Sequence, residues 1–110
     1  MNGKHLLLDL KKCKNLPNQE EIYNLLSELP DKLGMKILTN PYVVRGSPHL
    51  PGWSGFVIIE TSHISLHSFD DTNFISMDIY SCQDFNETDI IKYIEEIFEP
   101  KISAIKVIQR

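Results

Sequence analysis

Two neighbouring stretches constrain the fold of this chain most. In Phe74–Cys82, Ile75, Met77 and Ile79 alternate with Phe74, Ser76, Asp78, Tyr80 and Cys82. In His63–His67, Ile64 and Leu66 alternate with His63, Ser65 and His67. A period of two places successive side chains on opposite faces of a strand. One face of the resulting sheet is apolar and suits a layer of helices. The other is mixed polar and aromatic, and suits a second subunit or a ligand.

The helices are legible as well. Asn18 with Glu21 forms a capping-box pattern, and Ile22, Leu25, Leu26 and Leu29 then recur at one helical face. Pro30 is expected to end or kink this helix, with Gly34 closing the turn. Glu87–Glu99 is a second amphipathic helix with the stripe Ile90, Ile91, Ile94, Ile97 and Phe98, stopped by Pro100. Strand-like runs fall at His5–Leu10, Met35–Thr39, Gly55–Ile59, Ile64–Ser68, Phe74–Tyr80 and Ile102–Ile108. Tyr42–Val44 is a brief strand inside the Pro- and Gly-rich loop Asn40–Trp53, and Asp70–Asn73 is a turn. This order predicts an α+β fold: a two-layer sandwich, mostly antiparallel, with both helices on one face of the sheet.

A length of 110 residues makes residues 1–110 a single domain. The net charge of −4, with no basic patch, argues against a nucleic-acid partner. No run approaches the roughly 20 apolar residues of a membrane span, and Met1–His5 lacks the order of a signal peptide. The expected location is cytoplasmic, with Cys13 and Cys82 as free thiols.

The chemistry concentrates in Glu60-Thr61-Ser62-His63-Ile64-Ser65-Leu66-His67 and in Cys82. A hydroxyl, two imidazoles and a thiol fall on what read as adjacent strands. Four strand residues hold His63 and His67 roughly 13 Å apart, too far for one ion, so no metal site is expected. A Cys82–His67 nucleophile–base pair is a further reading, but no helix N-terminus evidently supports the thiol. A serine at a strand end is ordinarily structural. Ser62, however, has these neighbours, and a serine able to attack its preceding peptide bond can make a cofactor out of the chain.

The run Trp53-Ser54-Gly55-Phe56-Val57-Ile58-Ile59-Glu60-Thr61-Ser62-His63-Ile64-Ser65-Leu66-His67, then Asp78-Ile79-Tyr80-Ser81-Cys82, resembles the prokaryotic S-adenosylmethionine decarboxylases. Their pattern is V-S-G-x-V-x-I-x-E-S-H-x-S-I-H-T-W-P-E, then D-x-x-x-C. Gly3-Lys4-His5-Leu6 with Cys13 is similar to that family's opening. The resemblance implies the family's fold and a pyruvoyl group derived from Ser62. Cleavage between Thr61 and Ser62 would produce the group, which then forms a Schiff base with substrate. By the same resemblance His67 is the processing base, Ser54 supports processing by hydrogen bonding, and Cys82 is the proton donor. It further implies a homodimer with sheets facing each other and active sites at the interface.

Substrate recognition departs from the pattern. Asp71 aligns with the family glutamate that binds the ribose hydroxyls, Phe69 replaces tryptophan and Asp70 replaces proline. The adenine-stacking phenylalanine is absent from the Asn40–Trp53 loop, which offers Tyr42 or Trp53 instead. Thr61 stands where the family has glutamate. The resemblance therefore implies S-adenosylmethionine as the small-molecule substrate in polyamine synthesis. A basic amino acid, arginine or ornithine, is the alternative, with Asp70–Asp71 meeting its cationic tail. A non-catalytic, uncleaved homologue is the third reading.

Overall fold

The structure is a computed structural model and describes residues 2–110. Its elements are β1 (Lys4–Lys11), α1 (Gln19–Lys32), β2 (Tyr42–Arg45), β3 (Trp53–Ile59), β4 (Ser62–Phe69), β5 (Phe74–Ser81), α2 (Glu87–Phe98) and β6 (Ile102–Gln109). The six strands form one sheet in the order β2-β3-β4-β5-β1-β6, and every pair is antiparallel. The two-layer α+β arrangement expected from the alternation is the one observed.

Leu6, Leu8 and Leu10 of β1, Val57 and Ile59 of β3, Ile64 and Leu66 of β4, and Ile75, Met77 and Ile79 of β5 are buried on one sheet face. They form one cluster with Ile22, Leu25, Leu26 and Leu29 of α1 and Ile90, Ile94 and Phe98 of α2. Each fully buried leucine in it contributes about 2 kcal/mol. A Cβ on Gly55 would lie 3.0 Å from both Ile22 and Leu26, so α1 rests directly on β3.

Asn18 caps α1 through the expected reciprocal pair: its side chain accepts from the Glu21 N–H and the Glu21 carboxylate accepts from the Asn18 N–H. Two expectations are corrected. Pro30 does not end α1, which continues to Lys32 with Pro30 buried. A proline so near the end forfeits one hydrogen bond, and the Leu33 N–H still reaches the carbonyls of Leu29 and Pro30. Met35–Thr39 is not a strand. Only an isolated bridge, Ile37 to Ile59, forms there. The N–H groups of Leu38 and Thr39 both converge on the Ile58 carbonyl, so no ladder propagates there, and β2 pairs with the other part of the β3 edge, Trp53–Phe56.

Among the described residues no layer covers the opposite sheet face. The strand registers line up Ile58, His63, Tyr80, His5 and Ile108 in one row across it. The next row holds Tyr42, Phe56, Ser65, Asp78, Leu7 and Lys106, and another holds Val44, Ser54, His67, Ser76 and Asp9. Among the described residues no helix is long and apolar enough to cross a membrane.

Candidate active site

Ile59 pairs with Ser62, so Glu60 and Thr61 alone connect β3 to β4. A turn this tight demands an unusual backbone somewhere. Thr61 supplies it, with φ +43°. For a β-branched residue this left-handed conformation costs about 1–2 kcal/mol. The residue on the N-terminal side of the expected scission point is thus strained.

Ser62 opens β4 and is buried at 5% exposure. The β4–β5 register pairs His63 with Tyr80, so two residues beyond it Cys82 falls beside Thr61. The Cys82 N–H donates to Ser62 Oγ at 2.8 Å. The Thr61 hydroxyl donates to Cys82 Sγ at 3.0 Å, and the thiol lies 3.6 Å from the Glu60 carbonyl. Hydrogen bonds from the Thr61 hydroxyl, then the Ser62 hydroxyl, favour the thiolate and hold the Cys82 pKa below that of an ordinary thiol. Burial pushes the other thiol, Cys13, up.

A second group of residues lies at the other end of β4. Ser54 pairs with His67 across β3 and β4, and Ser54 Oγ lies 2.7 Å from His67 Nδ1. Both side chains are on the open face of the sheet. Beside them is a cleft of about 270 Å³ lined by Gly46, Ser47, Leu50, Gly52, Ser68 and Phe69. The rim loop is tied down by Asp70 N–H to the Pro51 carbonyl and Trp53 N–H to Ser68 Oγ. A Cβ on Gly52 would sit 1.8 Å from the Ser68 carbonyl oxygen, so only glycine fits there. Phe69 meets Phe74 edge-on at 5.4 Å.

The residues expected to contact substrate separate. Asp70 is paired with Arg45, which also lies over the Trp53 ring. Asp71 is exposed in the β4–β5 turn, beside a groove also lined by Lys12, Lys14 and Lys101. Trp53 packs against the core, whereas Tyr42 is 61% exposed and tilts against Phe56 on the open face. Asp70 and Asp71 therefore do not act as a free acidic pair.

Thr61, Ser62 and Cys82 thus meet at one end of β4, and Ser54, His67 and Phe69 at the other. Five strand residues separate Ser62 from His67 by roughly 16 Å, and the odd spacing puts them on opposite faces. Within one chain His67 does not reach Ser62.

The profile of the S-adenosylmethionine decarboxylase family matches residues 4–110. This chain belongs to that family. Among its relatives, an S-adenosylmethionine decarboxylase proenzyme of Clostridium botulinum (strain Langeland) is 34% identical over 112 residues, covering 99% of this chain and 94% of the relative. The S-adenosylmethionine decarboxylase proenzyme of Thermodesulfovibrio yellowstonii is 30% identical, covering 98% of this chain and 80% of its own length. The crystal structure of the adenosylmethionine decarboxylase from Aquifex aeolicus superposes with a TM-score of 0.82 over 99% of this chain and 90% of that one. Its 24% identity makes it evidence of the shared fold.

Two features of this family member went unread in its sequence. Lys4 is 4% exposed and bound to the segment after Cys82. Its signal was available: Lys4 shares strand parity with Leu6, Leu8 and Leu10, the apolar face. Gly52 stood among several loop glycines and prolines, and nothing local marked its contact with Ser68.

Proposed function

We propose that this chain is the proenzyme of a pyruvoyl-dependent decarboxylase that cleaves itself between Thr61 and Ser62 and acts on S-adenosylmethionine in polyamine synthesis. The observation that carries the reading is the strained Thr61 at the scission point, with the Cys82 N–H on the Ser62 hydroxyl oxygen. A donor on that oxygen favours its alkoxide character as it attacks.

In the first step Ser62 Oγ bonds to the Thr61 carbonyl carbon, the Thr61–Ser62 C–N bond breaks, and the hydroxyl proton passes to the freed amine. A base then takes the Ser62 α-proton and the Cβ–Oγ bond breaks, releasing Thr61 as a carboxylate. Water replaces the nitrogen, which leaves as ammonia, and residue 62 retains a ketone. That group supplies an electron sink for decarboxylation at the substrate α-carbon. Cys82 holds the proton that this carbon takes up. Cleavage removes the Ser62 hydroxyl and creates a carboxylate beside the thiol; both changes favour the protonated thiol a donor needs.

His67, with Ser54 accepting or donating at Nδ1, is the base for the elimination. Because one chain separates it from Ser62, the complete site takes the Ser54–His67 pair from a second copy. A homodimer with open faces opposed supplies it, and exposed Tyr42, Phe56 and Ile58 on that face support such an assembly. The engagement of Asp70 by Arg45 favours S-adenosylmethionine over a basic amino acid.

Intact-mass measurement on freshly purified protein tests the reading. Two fragments are expected, the second starting at residue 62 and lighter by one ammonia than a serine-started chain. Release of carbon dioxide from S-adenosylmethionine, and not from arginine or ornithine, is the expected turnover. A persistently uncleaved chain overturns the proposal, and turnover of arginine alone overturns the substrate.

A further inference from the structure

The segment Cys82–Asn86, between β5 and α2, has no regular structure of its own. It nevertheless places the two groups of Cys82 that meet the scission point: the N–H on Ser62 Oγ and the Sγ under the Thr61 hydroxyl. On one side of Cys82, the buried Ser81 hydroxyl donates to the Gln83 carbonyl and accepts from the Gln83 N–H. On the other side stands Lys4.

Lys4 opens β1 with its side chain on the apolar face, where an unpaired ammonium would be very costly. Its Nζ is 2.6 Å from Asp84 Oδ1, 2.6 Å from Glu87 Oε2 and 2.7 Å from the Phe85 carbonyl, and lies over the Phe85 ring. Three acceptors match the three protons of the ammonium. Two of those acceptors belong to the segment, and the third is the first residue of α2. We infer that Lys4 is a positioning residue for self-cleavage and proton donation: its buried ammonium fixes the Cys82 segment against the Thr61–Ser62 bond. The inference rests on the proposed function for its activity readouts. The pairing itself works over a defined range. Lys4 is raised and Asp84 and Glu87 are lowered by their mutual hydrogen bonds. The carboxylate contribution is present above their ordinary pKa values and fades as pH falls through the lowered ones; the Lys4 contribution fades as pH rises through its raised value.

The test uses Lys4→Met in the full chain. Self-cleavage is expected to slow about tenfold or more, and kcat of the cleaved fraction to fall about as much with KM within about twofold. Iodoacetamide labelling of Cys82 is compared in Ser62→Ala and in Lys4→Met/Ser62→Ala. The labelling rate at neutral pH is expected to drop about threefold as the thiol loses the Thr61 hydroxyl. If Lys4→Met folds poorly, the triple variant Lys4→Met/Asp84→Asn/Glu87→Gln removes the charge imbalance; its melting temperature recovers and its cleavage rate does not. Unchanged cleavage and labelling with only a lowered melting temperature overturns the inference and leaves Lys4 as a structural tie. Failure of the wild-type chain to cleave would sink the proposed function, while the labelling comparison would still decide the role of Lys4.

Discussion

The two ends of β4 treat the same kinds of side chain differently. At its start, the Ser62 hydroxyl is buried and accepts a main-chain N–H, beside a thiol and a strained threonine. Toward its far end, the Ser54 hydroxyl faces an imidazole on the open side of the sheet, next to a cleft. In the proposed reaction the first environment holds an oxygen in place for attack on an adjacent carbonyl. The second pairs a hydroxyl with a base, as a proton-moving unit does. In the proposed reading each is half of a reactive site, and the strand between them is too long and of the wrong parity to join them in one chain.

The largest effect expected from this division is complementation. Ser62→Ala and His67→Ala should each be inactive alone. Co-expressed, they should recover roughly a quarter of wild-type activity, since half of randomly paired dimers are mixed and each mixed dimer holds one intact site of two. No recovery from the mixture, with both chains folded, breaks the comparison by showing that the halves do not meet across copies.

A smaller effect separates the ends by stability. Gly52→Ala forces a Cβ into the Ser68 carbonyl at the far end, and should cost about 3 kcal/mol in denaturant unfolding. Within the uncleaved chain the hairpin end is untouched, so Cys82 labelling in Gly52→Ala/Ser62→Ala should match that in Ser62→Ala. The smallest effect is at the hairpin. Thr61→Gly relieves the left-handed strain and should stabilise the uncleaved chain by about 1 kcal/mol, about 4 °C in melting temperature, while slowing cleavage. Faster cleavage in that variant would show that the strain does not assist the reaction.

Much of this was legible without coordinates. The alternation in Phe74–Tyr80 and His63–His67 sorted the sheet faces correctly, because a period of two leaves no other choice once one face is apolar. The Asn18–Glu21 cap and the α1 stripe marked the helix start for equally local reasons. Pro30 and Met35–Thr39 misled for different reasons: a proline in the last turn loses little, and the Met35–Thr39 run meets the β3 edge through a single bridge because its Leu38 and Thr39 N–H groups share the Ile58 carbonyl. In the candidate site, the reactive residue types and the parity that parts Ser62 from His67 were present in the sequence. Their grouping into two ends was not read there, since the His67–Ser54 pairing depends on the β3–β4 register.

The sequence by itself determined the two-faced sheet, the helices that cover one face, and the supply of serine, histidine and thiol between Ser54 and Cys82. Tertiary structure alone decided that Thr61 is left-handed, that the Cys82 amide reaches the Ser62 oxygen, and that Lys4 lies buried among three acceptors. The reason is one of range. Side-chain alternation and helical caps act over a few residues, whereas the Ser54–His67 pair, the Cys82 amide on Ser62 and the buried ammonium join residues 13, 20 and more than 80 positions apart.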